Sequence, residues 1–182
     1  MQNNGFGQYG MIQIFTGDGK GKTTAALGEV LRCIGVEKKA AVVFFDKGGD
    51  HYSERASLER LGVEWWAFGR DRINTRTGKF DFLISDEDRE FGREGIKETR
   101  ELFSRDFDLI VLDEAVSACA VGILSVPEVN GLLDEKPTNV ELILTGRNAS
   151  QELIDRADLV TEMKMVKHYF YKGVKAREGL DY

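Results

Sequence analysis

Cysteine and proline are nearly missing from this chain, with two of each among 182 residues. Cys33 and Cys119 are far apart and form no C-x-x-C pair, so neither a zinc site nor a disulfide framework is encoded; apolar neighbours mark both as reduced core thiols. No internal repeat and no low-complexity linker interrupts the sequence. No apolar run approaches the length of a bilayer span, and the polar, Gly-rich lead-in over residues 1–10 is flexible in character and unlike a signal peptide. Cytoplasm is the expected compartment, with no membrane partner. An excess of positive charge is missing too: 25 Lys and Arg against 31 Asp and Glu leave a net charge of −6. That balance argues against a nucleic-acid binder working through bulk electrostatics. What is present is a 42% hydrophobic composition over a length that suits one domain, residues 1–182, able to bury a real core.

Short apolar runs alternate with amphipathic segments. The runs Met11–Phe15, Ala40–Phe45, Val63–Phe68, Leu109–Leu112, Val140–Leu144 and Leu159–Met163 read as strands, several of them continuously apolar, as strands covered on both faces are. Between them, Thr23–Ile34, Ser53–Leu61, Asp86–Phe103, Pro127–Leu133 and Ala149–Arg156 read as helices. Ser85 with Asp88, and Ser125 with Glu128, have capping-box spacing, the second with Pro127 in the first turn. This order predicts an α/β fold: a doubly wound, mostly parallel sheet of about six strands with helices on both faces. Ligands of such sheets gather beyond the carboxyl ends of the strands, here the loops after Phe15, Phe45, Leu112 and Leu144. Gly69 to Ser85 is the one long irregular stretch, of the kind that compact domains keep for function or motion.

Residues Thr16 to Thr24 read TGDGKGKTT directly after the first strand. Glycines at 17, 19 and 21 let successive backbone N–H groups turn inward on a polyphosphate. Lys22 adds a mobile positive charge, the Thr23 hydroxyl suits a Mg²⁺ shared with the phosphates, and a helix start brings its positive dipole end to the same point. The general pattern wants Gly where this chain has Thr16. Farther on, the apolar strand before Asp113-Glu114 is a way of carrying carboxylates toward Mg²⁺, although Asp113 has an alternative reading as a helix cap. Arg147 lies on the same rim and is either a phosphate contact or a surface ion-pairing residue.

Three segments give the chain a family likeness. The loop TGDGKGKTTAALG, the strand end VLDE and the tail TGRNASQELIDRADLVTEMKMVKHYFYKGVKAREGLDY resemble the P-loop ATP:corrinoid adenosyltransferases, from about Ile12 to Tyr182. Thr at position 16 is a mark of that family. The resemblance implies a P-loop NTPase fold of RecA-like type. It implies transfer of the 5′-deoxyadenosyl group of ATP to the Co(I) of a reduced corrinoid, cobalamin or cobinamide, with release of triphosphate. ATP is then held in reverse, its 5′-carbon toward the corrinoid. Because Co(I) is itself the nucleophile, the protein needs orientation, Mg²⁺ and charge neutralisation rather than a catalytic Ser, Cys or His. Lys22 and Glu114 are then the catalytic candidates. Thr16, Gly17, Asp18, Gly19, Lys20, Gly21, Lys22, Thr23, Thr24, Lys47 and Arg147 are the binding candidates, and Thr23, Asp113 and Glu114 the metal ligands. A homodimer and a flavoprotein reductant are implied as well.

The chain also departs from the family pattern. Asp18 replaces an Asn, and its charge calls for Mg²⁺ or Lys20 to offset it. Phe45-Asp46-Lys47-Gly48 carries Asp46 where the family has Ile. Lys167 and His168 match the family's Lys-His, with His168 read as a packed or hydrogen-bonded histidine. Where the family places a Phe and a Trp two residues apart to activate the corrinoid, this chain has Gly69-Arg70-Asp71-Arg72-Ile73. Phe80 and Phe82 have the spacing and are candidates for the corrinoid side; a strand burying one face is the simpler account of them. Trp65 and Trp66 are expected to split between core and surface. Three readings therefore stand at this point: the adenosyltransferase, another P-loop ATPase or small-molecule kinase, and a non-catalytic ATP- or corrinoid-binding module.

Overall fold

The computed structural model describes residues 10–72 and 81–181. The lead-in 1–9, residues 73–80 of the long irregular stretch, Phe80 among them, and Tyr182 lie outside the described residues. Six strands form one parallel sheet in the order β3-β2-β4-β5-β1-β6. They are β1 (Ile12–Thr16), β2 (Ala40–Phe45), β3 (Glu64–Phe68), β4 (Leu109–Asp113), β5 (Glu141–Thr145) and β6 (Leu159–Glu162).

The period of two in each strand divides the core between the two faces of the sheet. Ile14, Val43, Phe45, Ile110, Leu112, Leu142 and Leu144 face helices α3 (Asp86–Phe103), α4 (Ala115–Ala120), α5 (Val126–Glu135) and α6 (Gln151–Ile154). Phe15, Val42, Phe44, Val111 and Ile143 face α1 (Lys22–Ile34) and α2 (Ser53–Arg60). This is the expected double winding. Trp65 and Trp66 do split, but between the two core faces rather than between core and surface. A strand flanked by helices on both sides offers each neighbour a half-buried position. The two thiols are free and half-buried.

Both predicted capping boxes form: Ser85 accepts from Asp88 N–H and Ser125 from Glu128 N–H, with each acid returning to the cap's own N–H. Helix α4 does follow β4, but Asp113 does not cap it: its carboxylate is taken by Thr145 and Lys47, and the helix starts at Glu114 in the left-handed region (φ 61°) with no capping side chain. A short 3₁₀ turn without sequence signal spans Tyr169–Lys172. The last helix is cut to Gln151–Ile154, opened by Ser150, whose hydroxyl accepts from Leu153 N–H. β6 differs from the central strands in lying at the sheet edge with all four residues exposed. Among the described residues no helix is long and apolar enough to cross a membrane.

Candidate functional site

The carboxyl ends of β1, β2, β4 and β5 open onto one cleft of about 660 Å³. Its floor is the glycine-rich loop. Gly17 has φ 97°, and a Cβ there would lie 2.5 Å from the Met163 carbonyl oxygen, so no other residue fits without displacing the end of β6. Gly19 N–H donates to the same carbonyl at 2.6 Å. Gly21 precedes α1 with no side-chain cap, which leaves the first-turn N–H groups of a 13-residue helix pointing toward the cleft. Lys22 curls back over its own loop, donating to the carbonyls of Gly17 (2.8 Å) and Gly19 (2.9 Å). Burial pushes its pKa down, Glu114 opposes that, and Arg147 adds to it. A buried ammonium that touches only carbonyls favours any anion brought within reach.

The opposite wall is a hydrogen-bonded hub. Asp113, fully buried at the end of β4, accepts the Thr145 hydroxyl at Oδ1 (2.6 Å) and the Lys47 ammonium at Oδ2 (2.5 Å). The Thr145 hydroxyl in turn accepts from Glu114 N–H at 3.0 Å. Thr145 therefore sets both acids at once, and the left-handed turn at Glu114 delivers that residue to the cleft lining. Lys47 reaches in from the loop after β2. Its ammonium stands 3.5 Å from Thr23 Oγ1 and 3.8 Å from Glu54 Oε1, with the Phe44 and Tyr52 rings each 5.5 Å away. Burial alone lowers the pKa of such a group, but Asp113, Glu114 and Glu54 together hold it above the ordinary lysine value. Arg55 fixes the Lys47 segment by donating to the carbonyls of Lys47 and Gly49, its guanidinium 4.7 Å from the Tyr52 ring.

The third wall is the C-terminal tail. Lys20 donates to the Tyr169 hydroxyl (3.1 Å), to the Leu180 carbonyl (2.5 Å) and to Asp181. Asp181 also takes the Tyr169 hydroxyl and Arg177, and Arg177 lies 4.6 Å from the Tyr169 ring. His168 opens the 3₁₀ turn, its Nδ1 accepting from Phe170 N–H at 3.1 Å, which agrees with a hydrogen-bonded histidine; it lines the cleft as well.

Most of the predicted site residues meet here. Asp18, Gly19, Lys20, Gly21, Lys22, Thr23, Thr24, Lys47, Glu114 and Arg147 line the cleft. Gly17 and Asp113 sit just behind it, one as an acceptor for Lys22 and the other for Lys47. Thr16 is turned away: it is buried, and its hydroxyl accepts from Ala149 N–H at 3.3 Å, tying β1 to the entry of α6. Of the two expected offsets for the Asp18 charge, Mg²⁺ or Lys20, the lysine is not the one: Lys20 is drawn to the tail carboxylate, and the charge of Asp18 acts on Lys22. Arg147 is placed by its backbone, whose N–H donates to Ser117 Oγ at 2.8 Å. Phe82 belongs to no strand and buries no face; its side chain is 81% exposed and does not line the cleft, so the alternating-strand account is corrected too. Its partner candidate Phe80 lies outside the described residues. Sequence reasoning passed over the hub role of Thr145 and the latch of Tyr169 and Asp181. Those tail residues lie inside the segment with the most family-specific sequence, which was the available signal.

A model of the family described as ATP:corrinoid adenosyltransferase BtuR/CobO/CobP matches residues 8–182. A corrinoid adenosyltransferase of Escherichia coli K12 is 38% identical over 178 residues, covering 95% of this chain and 86% of the relative. The corrinoid adenosyltransferase CobA of Salmonella typhimurium is 38% identical over 174 residues with the same coverage, and a corrinoid adenosyltransferase of Pseudomonas aeruginosa is 32% identical over 178 residues, covering 95% and 84%. With the glycine-rich loop, the two acids and the tail all drawn around one cleft, the chain belongs to the ATP:corrinoid adenosyltransferase family.

Proposed function

We propose that the cleft holds ATP by its triphosphate and that the protein transfers the 5′-deoxyadenosyl group to the Co(I) of a reduced corrinoid. The electron pair of Co(I) becomes the Co–C5′ bond, and the C5′–O bond breaks with its pair going to the departing triphosphate. The observation that carries this reading is the convergence of the buried Lys22, the half-buried Lys47 and an uncapped helix start on one cleft lined by Glu114 and backed by Asp113. Such a site neutralises a leaving polyanion and offers orientation, which is what a reaction with an external nucleophile requires.

In this reading Gly17 to Thr24 cradle the phosphates, with Lys22 and Lys47 as counter-charges and Arg147 at the rim. Thr23, Asp113 and Glu114 would hold Mg²⁺. The donors fit: Thr23 Oγ1 and Asp113 Oδ2 already flank one cation, the Lys47 ammonium, and are hard oxygen donors of the kind Mg²⁺ takes. Bound there, Mg²⁺ would draw its remaining ligands from phosphate and water and supply charge to the leaving group. A homodimer and a flavoprotein reductant that delivers Co(I), both by resemblance, and a cytoplasmic setting, expected from the sequence, complete the reading.

The test is anaerobic incubation with ATP, Mg²⁺ and chemically reduced cobalamin, followed by the visible spectrum. Conversion to the adenosylcobalamin spectrum is expected. ADP with a phosphorylated acceptor, or binding of ATP without conversion, would overturn the proposal.

A further inference from the structure

We propose that Arg72, acting through Asp46, is a positioning residue for Lys47 in the transfer reaction. The proposal rests on the reading of Lys47 as a triphosphate counter-charge.

Lys47 sits in a turn, residues 46–49, laid backbone to backbone against residues 69–70. A Cβ on Gly48 would lie 2.3 Å from the Arg70 carbonyl carbon, and one on Gly69 would lie 2.8 Å from Asp46 Cα. Asp46 N–H donates to the Phe68 carbonyl at 2.7 Å. The turn is entered through Asp46 in the left-handed region, φ 53°, where a residue with a Cβ stays only if its surroundings hold it. What holds it is Arg72. The buried guanidinium donates from Nε to Asp46 Oδ1 at 2.5 Å and from Nη1 to the carbonyls of Asp81 (3.2 Å) and Leu83 (3.0 Å). Its Nη2 lies 3.2 Å from Asp88 Oδ1 as an ion pair without hydrogen-bond geometry. Asp88 is fixed in turn by Arg70 Nε at 2.9 Å and by the Ser85 capping box.

A continuous path therefore runs from the start of α3 through Arg72 to Asp46, and the next residue along the chain is Lys47. None of Asp46, Arg70, Arg72, Asp81 or Asp88 lines the cleft, so the cluster reaches the substrate only through the turn. A buried ion pair gives little net stability over apolar residues of the same size, but its hydrogen bonds are directional. Here they hold Asp46 at the entry of the turn, whose far side Arg55 holds through the Lys47 and Gly49 carbonyls. The same contacts explain two departures from the family pattern together: Asp46, where resemblance places Ile, is paired by Arg72, which lies where resemblance places the aromatic pair.

The test is a double-mutant cycle of Arg72→Met and Lys47→Met, measuring adenosylation of chemically reduced cobalamin at saturating ATP, with a thermal melt for each protein. In the Lys47 background, Arg72→Met is expected to lower kcat about tenfold, the usual scale for removing a supporting contact, with the KM for cobalamin changed by less than about twofold. In the Lys47→Met background the same change is expected to cost less than about twofold, because the residue it positions is gone. Equal fold-losses in both backgrounds, or no loss in either, overturn the proposal. A Lys47→Met protein with undiminished kcat instead overturns the role given to Lys47, and the positioning role falls with it. If Arg72→Met does not fold, Asp46→Asn, which keeps shape and removes the charge, takes its place in the cycle with the same expectations.

Discussion

Two lysines enter the cleft from opposite sides and are held in opposite ways. Lys22 is fixed by carbonyls of its own loop, five and three residues away, and burial lowers its pKa. Lys47 is fixed by a carboxylate 66 residues away, and three acids raise its pKa against the pull of burial. The first is a cation short of a counter-ion, so a phosphate supplies what it lacks. The second already has a counter-ion, so a phosphate must compete with Asp113 for Lys47, and a metal ion must compete with Lys47 for Asp113. One wall of the cleft is therefore set to receive charge and the other to exchange it. The partners of Lys22 lie within its own loop, while the hub depends on three distant strands staying in register.

The largest effect is expected at Lys22. Lys22→Ala should lower kcat/KM by about 10²- to 10³-fold, the scale seen when a preorganised charge donor is removed; retention of near-normal activity would sink the phosphate-cradle assignment. On the hub side, Asp113→Asn should cost about 10- to 100-fold in kcat, since it removes the charge that holds Lys47 and with it the proposed metal ligand. Comparable losses at different [Mg²⁺] would mean Asp113 serves Lys47 alone. Thr145→Val leaves Asp113 and Glu114 N–H without their shared hydroxyl, so thermal or urea unfolding should show a loss of about 1–3 kcal/mol, the cost of unsatisfied buried groups, accompanied by reduced turnover. No change in stability would mean that water replaces the hydroxyl.

The tail sharpens the comparison on a smaller scale. Lys20, then Tyr169 and Arg177, hold the Asp181 carboxyl well below its ordinary value of 3.8. A depressed acid stabilises the docked tail fully above that ordinary value and loses the contribution as pH falls through the lowered one. Tail docking, followed by the Tyr169 resonance in NMR, should therefore be unchanged from neutrality down to about pH 5 and release only under strong acid. Release near neutral pH would contradict a tail held by the Asp181 carboxylate. The smallest effect concerns the thiols: burial pushes Cys119 up to about 12 and Cys33 up by a lesser cause of the same kind. Alkylation at pH 8 should accordingly be slow at both and slower at Cys119.

The same division explains what could be read from the chain. Strands that are apolar throughout, such as Ala40–Phe45, and helices with capping boxes, such as Asp86–Phe103, declare themselves locally. So does the glycine-rich loop, whose function lies in its backbone. Helix α4 does not, because it begins at a left-handed Glu114 with no capping side chain. The partners of Lys20, Lys47 and Asp46 were not legible either, since they lie 161, 66 and 26 residues away and are chosen by strand order rather than by spacing. Lys20 shows why: it was a candidate to offset Asp18 two residues away, yet its partner is the carboxylate of Asp181.

The central claim is that both walls serve one triphosphate that leaves intact while chemistry occurs at the 5′-carbon. It is tested most directly by ³¹P NMR of a turnover mixture of the protein with ATP, Mg²⁺ and chemically reduced cobalamin. The account predicts inorganic triphosphate as the new phosphorus species, formed in equal amount to adenosylcobalamin. ADP with inorganic phosphate, or AMP with pyrophosphate, formed in place of triphosphate would contradict it.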